Sequence, residues 1–166
     1  LLKAKPEILD KMQGSFDFLG NKEIALEHSI IELPWTFWQY NGPGSDCSNV
    51  PAATDDVSKH IDFLNTNNNP NGYSDNDLSG FVSYYYQAAT QLGNPATNLE
   101  HIADLLKFKD TFSIFSYTPK GVETHYDNAL AMKDVAKWVA NESKNMLYVY
   151  GEWDPWSGGA FEPRPE

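Results

Sequence analysis

Apolar residues recur at helical spacing in several segments between positions 8 and 140, which predicts a mainly α-helical chain; residues 112–121 are ambiguous between a short strand and a loop. Pro6 suits the first turn of a short helix, and Gly14 is expected to end it. Asn21 can cap a second helix, whose apolar face holds Ile24, Ala25, His28, Ile31 and Trp35. Pro34 lies within this pattern and is predicted to end or kink the helix.

Three more helices and another possible one follow from the same spacing. Thr54 is predicted to cap a helix containing Val57, Ile61 and Leu64. Ser74 or Asp75 is predicted to begin the next helix, which Gly93 should stop. The apolar positions of that helix are Leu78, Phe81, Val82, Tyr85, Ala89 and Leu92. Helices are also predicted over residues 99–107 and 122–140, and a loop over 41–51.

The run "NMLYVYG", residues 145–151, predicts a short apolar strand. An isolated strand has no partner for its backbone groups and is unstable in water. A helix followed by a strand is typical of one crossover of an α/β sheet. We therefore expect a helical region over 1–144, followed over 145–166 by one strand and a loop that belong to an incomplete sheet.

Charge and composition limit the function. The 166 residues include 12 basic and 23 acidic side chains, giving a net charge of −11. Such a chain repels phosphate backbones and anionic lipids, so nucleic acid and membrane are not expected partners, whereas a cationic or amine-bearing ligand is favoured. Cys47 stands alone, which excludes an internal disulfide and a cysteine-rich zinc site. We expect no cofactor and no metal.

Two polar motifs are predicted to be structural. Asn67, Asn69 and Asn71 match EF-hand loop positions, but Pro70 lies inside the run and Leu78 stands where the bidentate glutamate belongs. A plain polar loop is therefore predicted there. His125, between two acidic residues, could act as an acid or base, but the simpler interpretation is a solvated helix start.

Three consecutive tyrosines, Tyr84, Tyr85 and Tyr86, cannot all face the core of one helix. Tyr85 shares its face with Phe81 and Ala89, so we predict that Tyr85 is buried. Tyr84 or Tyr86 should then reach the surface or a pocket.

The stretch "YVYGEWDPWSGGAF", from Tyr148 to Phe161, places Asp154 just beyond the predicted strand. In a parallel sheet, an acid at this edge can accept the Nδ1–H of a catalytic histidine. By pattern alone a simple turn is favoured, because an Asp before a proline is often only a turn former. No GxSxG elbow, P-loop or Gly-rich dinucleotide motif occurs in the sequence, so no complete catalytic set can be assembled from it.

This stretch resembles the triad-Asp loop of the secreted prolyl tripeptidyl aminopeptidases of bacteria, which are α/β-hydrolase serine peptidases related to the prolyl carboxypeptidase group. "YYYQAATQLG" is similar to the aromatic helix that precedes that loop in these families. The resemblance implies that the helices form a cap region, that Asp154 completes a Ser-His-Asp triad, and that the enzyme is periplasmic or secreted. The single cysteine favours the bacterial group over the disulfide-rich carboxypeptidases.

The resemblance also implies a serine exopeptidase that releases short N-terminal peptides, with a preference for proline. Its triad order places the serine before Leu1 and the histidine after Glu166, so the chain alone is expected to be inactive. The expected partners are a peptide substrate and the remainder of the hydrolase core. Five aromatic residues are candidates for the pocket walls: Trp153, Trp156, Tyr84, Tyr85 and Tyr86.

An alternative remains open from the residues alone. The chain could be a non-enzymatic, secreted helical module that binds glycans or peptides through its Trp, Tyr and Asn-rich loops. An elbow upstream and a histidine downstream would favour the peptidase.

Overall fold

The computed structural model describes residues 4–41 and 47–163, and these are mainly helical. The α-helices are α1 (Lys5–Lys11), α2 (Lys22–Asn41), α3 (Val57–Asn68), α4 (Asp75–Ser79), α5 (Val82–Gln87) and α6 (Leu130–Asn141). A π-helical turn, Ala88–Leu92, continues α5. Short 3₁₀ helices cover Cys47–Asn49, Pro70–Tyr73, Glu100–Leu105, Lys109–Thr111, Ile114–Tyr117 and Pro155–Gly159. No described helix is both long enough and apolar enough to cross a bilayer.

Helix α2 is the central element, and it runs past Pro34. Its start is the predicted one, because the Asn21 side chain accepts a hydrogen bond from the Ile24 N–H at 3.0 Å. Pro34 was predicted to end or kink the helix, and it does not end it, since α2 continues to Asn41. Proline costs one backbone hydrogen bond, but the turn beyond it is held by the buried Phe37, whose ring packs on Phe63 at 5.6 Å.

The core lies where α1, α2 and α3 meet. Buried apolar side chains from all three helices contact each other there, including Ile8, Leu26 and Leu64. Two acids attach other segments to it. Asp75 accepts from the backbone N–H of Phe18 at 2.6 Å and of Asp17 at 3.1 Å. Glu27 accepts from the N–H groups of residues 107 and 108.

The predicted α3 and tyrosine helices need correction. α3 begins at Val57 with Asp56 at the cap position, so Thr54 is not its cap. The single helix predicted from Ser74 to Leu92 is interrupted between α4 and α5, although the Ser74 cap and the stop at Gly93 are both present. The break changes the helical phase, and Phe81, which was predicted to share the apolar face, is 57% exposed.

Despite this break, Tyr85 is the least exposed of the three consecutive tyrosines, as predicted. Tyr85 is half-buried and packs against the core, whereas Tyr84 and Tyr86 are both exposed. The π-helical turn after α5 then ends at Gly93, whose φ of 77° suits glycine.

The C-terminal third is less regular than predicted. Of the helix predicted over 122–140, only α6 from Leu130 is present, because Asn128 and Ala129 both take positive φ and Asp127 caps the helix after them. The helix predicted over 99–107 is the 3₁₀ helix Glu100–Leu105. His125 is exposed but lies outside α6.

The predicted C-terminal strand is absent. Residues 4–41 and 47–163 contain no strand, and the side chains of Leu147 and Val149 are 88% and 80% exposed. The physical reason is the one already noted, since no other strand is available to pair with this segment. The region boundary at 144/145 stays a prediction, and part of the loop predicted over 41–51 lies outside the described residues.

Candidate functional site

The C-terminal aromatic loop, residues 151–161, packs on helix α2. Trp153 stacks on Trp38 with ring centroids 5.6 Å apart and planes 23° apart. Trp156 contacts Trp35 at 5.4 Å, and its Nε1–H donates to the Gln39 side-chain oxygen at 3.3 Å. The three α2 residues lie at i, i+3 and i+4, so they form one face of the helix. The loop is thus positioned by side chains more than a hundred residues earlier in the chain.

Asp154 begins a tight turn within this loop. Its Oδ1 accepts the backbone N–H of Trp156 at 3.0 Å, which starts the 3₁₀ helix Pro155–Gly159. Ser157 Oγ donates to the Gly151 carbonyl at 2.7 Å and closes the turn from the other side. A Cβ on Gly151 would lie 3.1 Å from the Asp154 Cβ, so glycine permits this close approach. Oδ2 of Asp154 accepts from no described residue.

A cavity of about 480 Å³ lies beside the loop, between α2, α5 and the segments 93–99 and 112–117. This volume falls in the range of small-ligand sites, about 300–1,000 Å³. Its walls combine tyrosines, other aromatic residues, backbone turns and one acid. They are formed by Glu32, Tyr84, Tyr85, Ala88, Ala89, Gly93, Asn94, Pro95, Ala96, Thr97, Leu99, Phe112, Ser113, Ile114, Phe115, Tyr117, Tyr126 and Trp156.

Three of the five aromatic residues predicted as pocket walls line this cavity. They are Tyr84, Tyr85 and Trp156. Trp153 faces Trp38 instead, and Tyr86 is not part of the lining. Asp154 itself is not in the lining either, although its loop supplies Trp156.

Tyr84, Tyr85 and Tyr117, three tyrosines of the cavity wall, remain protonated at neutral pH. Burial, followed by the nearby negative charge of Glu32, raises the pKa of Tyr85 to about 12 and raises the pKa of Tyr84 as well. The same causes raise the pKa of Tyr117 far above its usual value, and its ring lies 5.0 Å from that of Tyr85. The hydroxyl groups of Tyr84 and Tyr85 are therefore available as hydrogen-bond donors.

Glu32 is the acid that sequence reasoning missed. It lies on α2, where its Oε2 accepts a 2.5 Å hydrogen bond from the Tyr73 hydroxyl. Burial raises the pKa of its carboxyl, and the Tyr73 bond only partly offsets this effect. A signal was present in the sequence, since Glu27 and Glu32 both interrupt the apolar run "IALEHSIIEL". An acid within the buried length of a helix needs a specific partner.

His28 supports the cavity wall from behind. Its ring is 0% exposed, and burial lowers its pKa to about 4. The Thr111 hydroxyl already donates to the Phe108 carbonyl, so His28 Nε2 must be the donor to Thr111 Oγ1, at 3.0 Å. Nδ1 then accepts from the Tyr117 hydroxyl at 2.7 Å. This neutral imidazole therefore holds Tyr117, a cavity residue, in place.

Comparison with known proteins identifies the family. The model of the PS-10 peptidase S37 family matches residues 8–163, nearly the whole chain. The chain belongs to the PS-10 peptidase S37 family. It is also 40% identical, over 150 residues, to a prolyl tri/tetrapeptidyl aminopeptidase from Streptomyces mobaraensis. The match covers 89% of this chain and 30% of that relative. No solved structure shows significant similarity to the chain.

The resemblance inferred from the two aromatic motifs is thereby confirmed at the level of the S37 peptidase family. The mainly helical structure of the described residues is consistent with a cap region.

The side chains of the Asn-rich loop form hydrogen bonds within the protein. Asn69 accepts from the Asn71 N–H, and Asn71 accepts from the Gln13 N–H, both at 2.9 Å. In the part of the chain that the structure describes, no group of three His, Cys, Asp or Glu residues is arranged to hold a metal ion.

Proposed function

We propose that this chain is part of a serine exopeptidase that releases short peptides, ending in proline, from the N-termini of its substrates. The proposal is supported by membership of the S37 peptidase family and by the 40% identity to a prolyl tri/tetrapeptidyl aminopeptidase. The chain spans 30% of the length of that relative. In this proposal the remainder of an α/β-hydrolase core supplies the nucleophilic serine and the histidine.

The observation that carries the proposal is the double role of Trp156. It belongs to the Asp154 turn, and it also lines the cavity whose other walls include Tyr84 and Tyr85. A peptide bound in this cavity would lie next to the loop that carries the proposed triad acid. Serine peptidases need this arrangement, because the triad must reach the scissile carbonyl of the bound substrate.

The proposed role of Asp154 follows from the atoms it has available. Oδ1 is used by the turn, whereas Oδ2 accepts from no described residue and can take the Nδ1–H of a histidine. In that position the carboxylate would fix the imidazole tautomer and stabilise the imidazolium that forms when the serine is deprotonated. Trp153 and Trp156 flank Asp154 in the sequence and, in this proposal, limit the contact of its carboxylate with water.

The proposal also gives the segment 146–150 a role. Leu147 and Val149 are exposed, apolar and two residues apart, so in an extended segment they lie on the same face. We propose that this segment is a strand of the parent sheet, with its backbone paired and this face covered. A periplasmic or secreted location in a bacterium accompanies the proposal and stays a prediction.

The test uses the full-length protein that contains this chain. We expect it to cleave a tripeptidyl anilide with proline in the third position and to be inactivated by a fluorophosphonate. Replacing Asp154 with Asn should lower turnover by roughly 10⁴-fold, because the amide favours the wrong histidine tautomer. The melting temperature should barely change, since an Asn oxygen can still accept the Trp156 N–H.

A matched control is Asp134→Asn, which makes the same charge change at an exposed position on α6. It should leave turnover unchanged. Near-normal turnover of Asp154→Asn would leave this residue a turn former and remove it from the triad. A full-length protein that cleaves no peptide and takes no fluorophosphonate label, yet binds glycans or peptides, would favour the non-enzymatic binding module.

A further inference from the structure

Glu32 has an unusual environment for a carboxylate in the middle of a helix. Among the described residues it forms no ion pair, and its single hydrogen bond comes from the neutral hydroxyl of Tyr73. A carboxylate can accept several hydrogen bonds, and removing it from water without a compensating charge is costly. The Glu32 carboxylate can therefore accept further hydrogen bonds, which no other described residue donates.

Glu27, five residues earlier on α2, shows the satisfied alternative. Its two oxygens accept the backbone N–H groups of Lys107 and Phe108 at 3.1 and 2.7 Å, and the ammonium of Lys5 lies 3.8 Å away. That carboxylate is used entirely to hold the fold together. Both oxygens of Glu27 thus have donors, whereas only one oxygen of Glu32 has a donor among the described residues.

One carboxylate oxygen of Glu32 has no donor among the described residues. Oε2 takes the Tyr73 bond, and no described residue donates to Oε1. No fully buried side-chain oxygen or nitrogen of the described residues lacks a partner, so Oε1 keeps some contact with solvent. Glu32 lines both the 480 Å³ cavity and a smaller recess of about 100 Å³ beside Trp35.

The surroundings of this oxygen suit an organic cation. Glu32 lines the same cavity as Tyr84, Tyr85 and Tyr117, whose phenol groups therefore share its surroundings. Aromatic faces and phenol oxygens attract an ammonium group, and the carboxylate supplies the opposite charge. A metal ion would need more acidic or imidazole ligands than the described residues bring together here.

We propose that Glu32 binds the free α-amino group of the peptide substrate, with Tyr84 and Tyr85 enclosing the ammonium. The identification of this peptide as a substrate rests on the proposed function. An aminopeptidase must recognise the substrate N-terminus to count the residues it releases, and a charged pair at a fixed point of the cavity provides that recognition. A bound ammonium group would also give the largely buried carboxylate of Glu32 a partner of opposite charge.

The experiment measures binding separately from cleavage, on the full-length enzyme. The probes are the tripeptide Ala-Ala-Pro and its N-acetylated form, titrated by calorimetry at pH 7. The wild type should bind the free amine roughly 10–100-fold more tightly, as expected for a charge-assisted hydrogen bond. Glu32→Gln should abolish this preference and keep the affinity for the acetylated peptide, because glutamine still accepts from Tyr73.

Two further variants make the result interpretable. Glu23→Gln removes the same charge from α2, but Glu23 pairs with Lys5 and Lys107 and lies outside the cavity lining, so the preference should persist. Glu32→Asp keeps the charge on a shorter side chain and should retain part of the preference. If Glu32→Gln fails to fold, an unchanged preference in Glu32→Asp would overturn the inference.

The remaining outcomes separate this inference from the proposed function. A wild type without preference for the free amine, or a Glu32→Gln variant that keeps it, overturns the role of Glu32. An enzyme that binds free-amine peptides through Glu32 but cleaves none of them contradicts the peptidase proposal alone. Cleavage that is equally efficient in Glu32→Gln and in the wild type, for free-amine and acetylated substrates alike, contradicts the role of Glu32 alone.

Discussion

Acidification should weaken the core of this protein through His28. The folded protein holds this imidazole neutral, because burial lowers its pKa from 6.5 to about 4. The unfolded chain has no such environment, so its His28 takes up a proton as the pH falls below about 6.5. Between these two pKa values the unfolded state binds more protons than the folded state, and the free energy of unfolding must decrease as the pH falls.

The size of this effect follows from the two pKa values. A pKa lowered from 6.5 to about 4 corresponds to roughly 3 kcal/mol of unfolding free energy. This stability is fully present above about pH 6.5 and is lost progressively down to about pH 4. The raised pKa of Glu32 acts in the opposite direction, since the folded state takes up that proton more readily. The contribution of Glu32 cancels when the unfolding free energies of two proteins that both contain Glu32 are subtracted.

The assay compares wild type with His28→Gln by urea unfolding in steps from pH 7.5 to pH 4, followed by tryptophan fluorescence. At pH 7 the variant should be less stable by about 1–3 kcal/mol, because the hydrogen bonds to Tyr117 and Thr111 are disturbed. Toward pH 4 the wild type should lose roughly 3 kcal/mol more than the variant, because only the wild type contains the buried imidazole, so the difference should vanish or change sign. His125→Gln, at an exposed position, should follow the wild type throughout. A gap between wild type and His28→Gln that does not change with pH would refute the reasoning.

Two other predictions concern the incomplete site and the docked loop. The 166-residue chain alone should hydrolyse no peptide substrate and take no fluorophosphonate label, because its sequence contains no nucleophile elbow; a labelled serine would contradict the assignment. Trp38→Leu should remove the stacking that holds Trp153, worth about 0.5–1.5 kcal/mol beyond the buried area. Trp153 should then become more solvated, which a red shift in fluorescence relative to a Trp38→Phe control would report, and an unchanged spectrum would show that the stacking does not position the loop.

The sequence by itself determined the features that depend on neighbouring residues. The side chains of Asn21 and Ser74 cap the helices that follow them, because a cap needs only the next three residues. Gly93 ends a helix because its backbone can take positive φ. The family could be inferred in the same way, since its two aromatic motifs are contiguous stretches of sequence.

Tertiary structure decided the features that depend on distant residues. Helix α2 passes Pro34 because Phe37 is buried against α3, and local helix propensity contains no information about that contact. The segment 146–150 has strand-like composition but forms no strand here, since a strand needs partners that this segment does not find among the described residues.

Glu32 is the clearest example in the site. Helical periodicity predicts which face of α2 its neighbours occupy, but the carboxylate of Glu32 is held by Tyr73 and lines a cavity together with the tyrosines at positions 84, 85 and 117. These residues lie 41 or more positions away along the chain. A sequence pattern of period 3.6 describes only one helix at a time, so the environment that turns an ordinary glutamate into a candidate ammonium site arises only when the separate segments pack together.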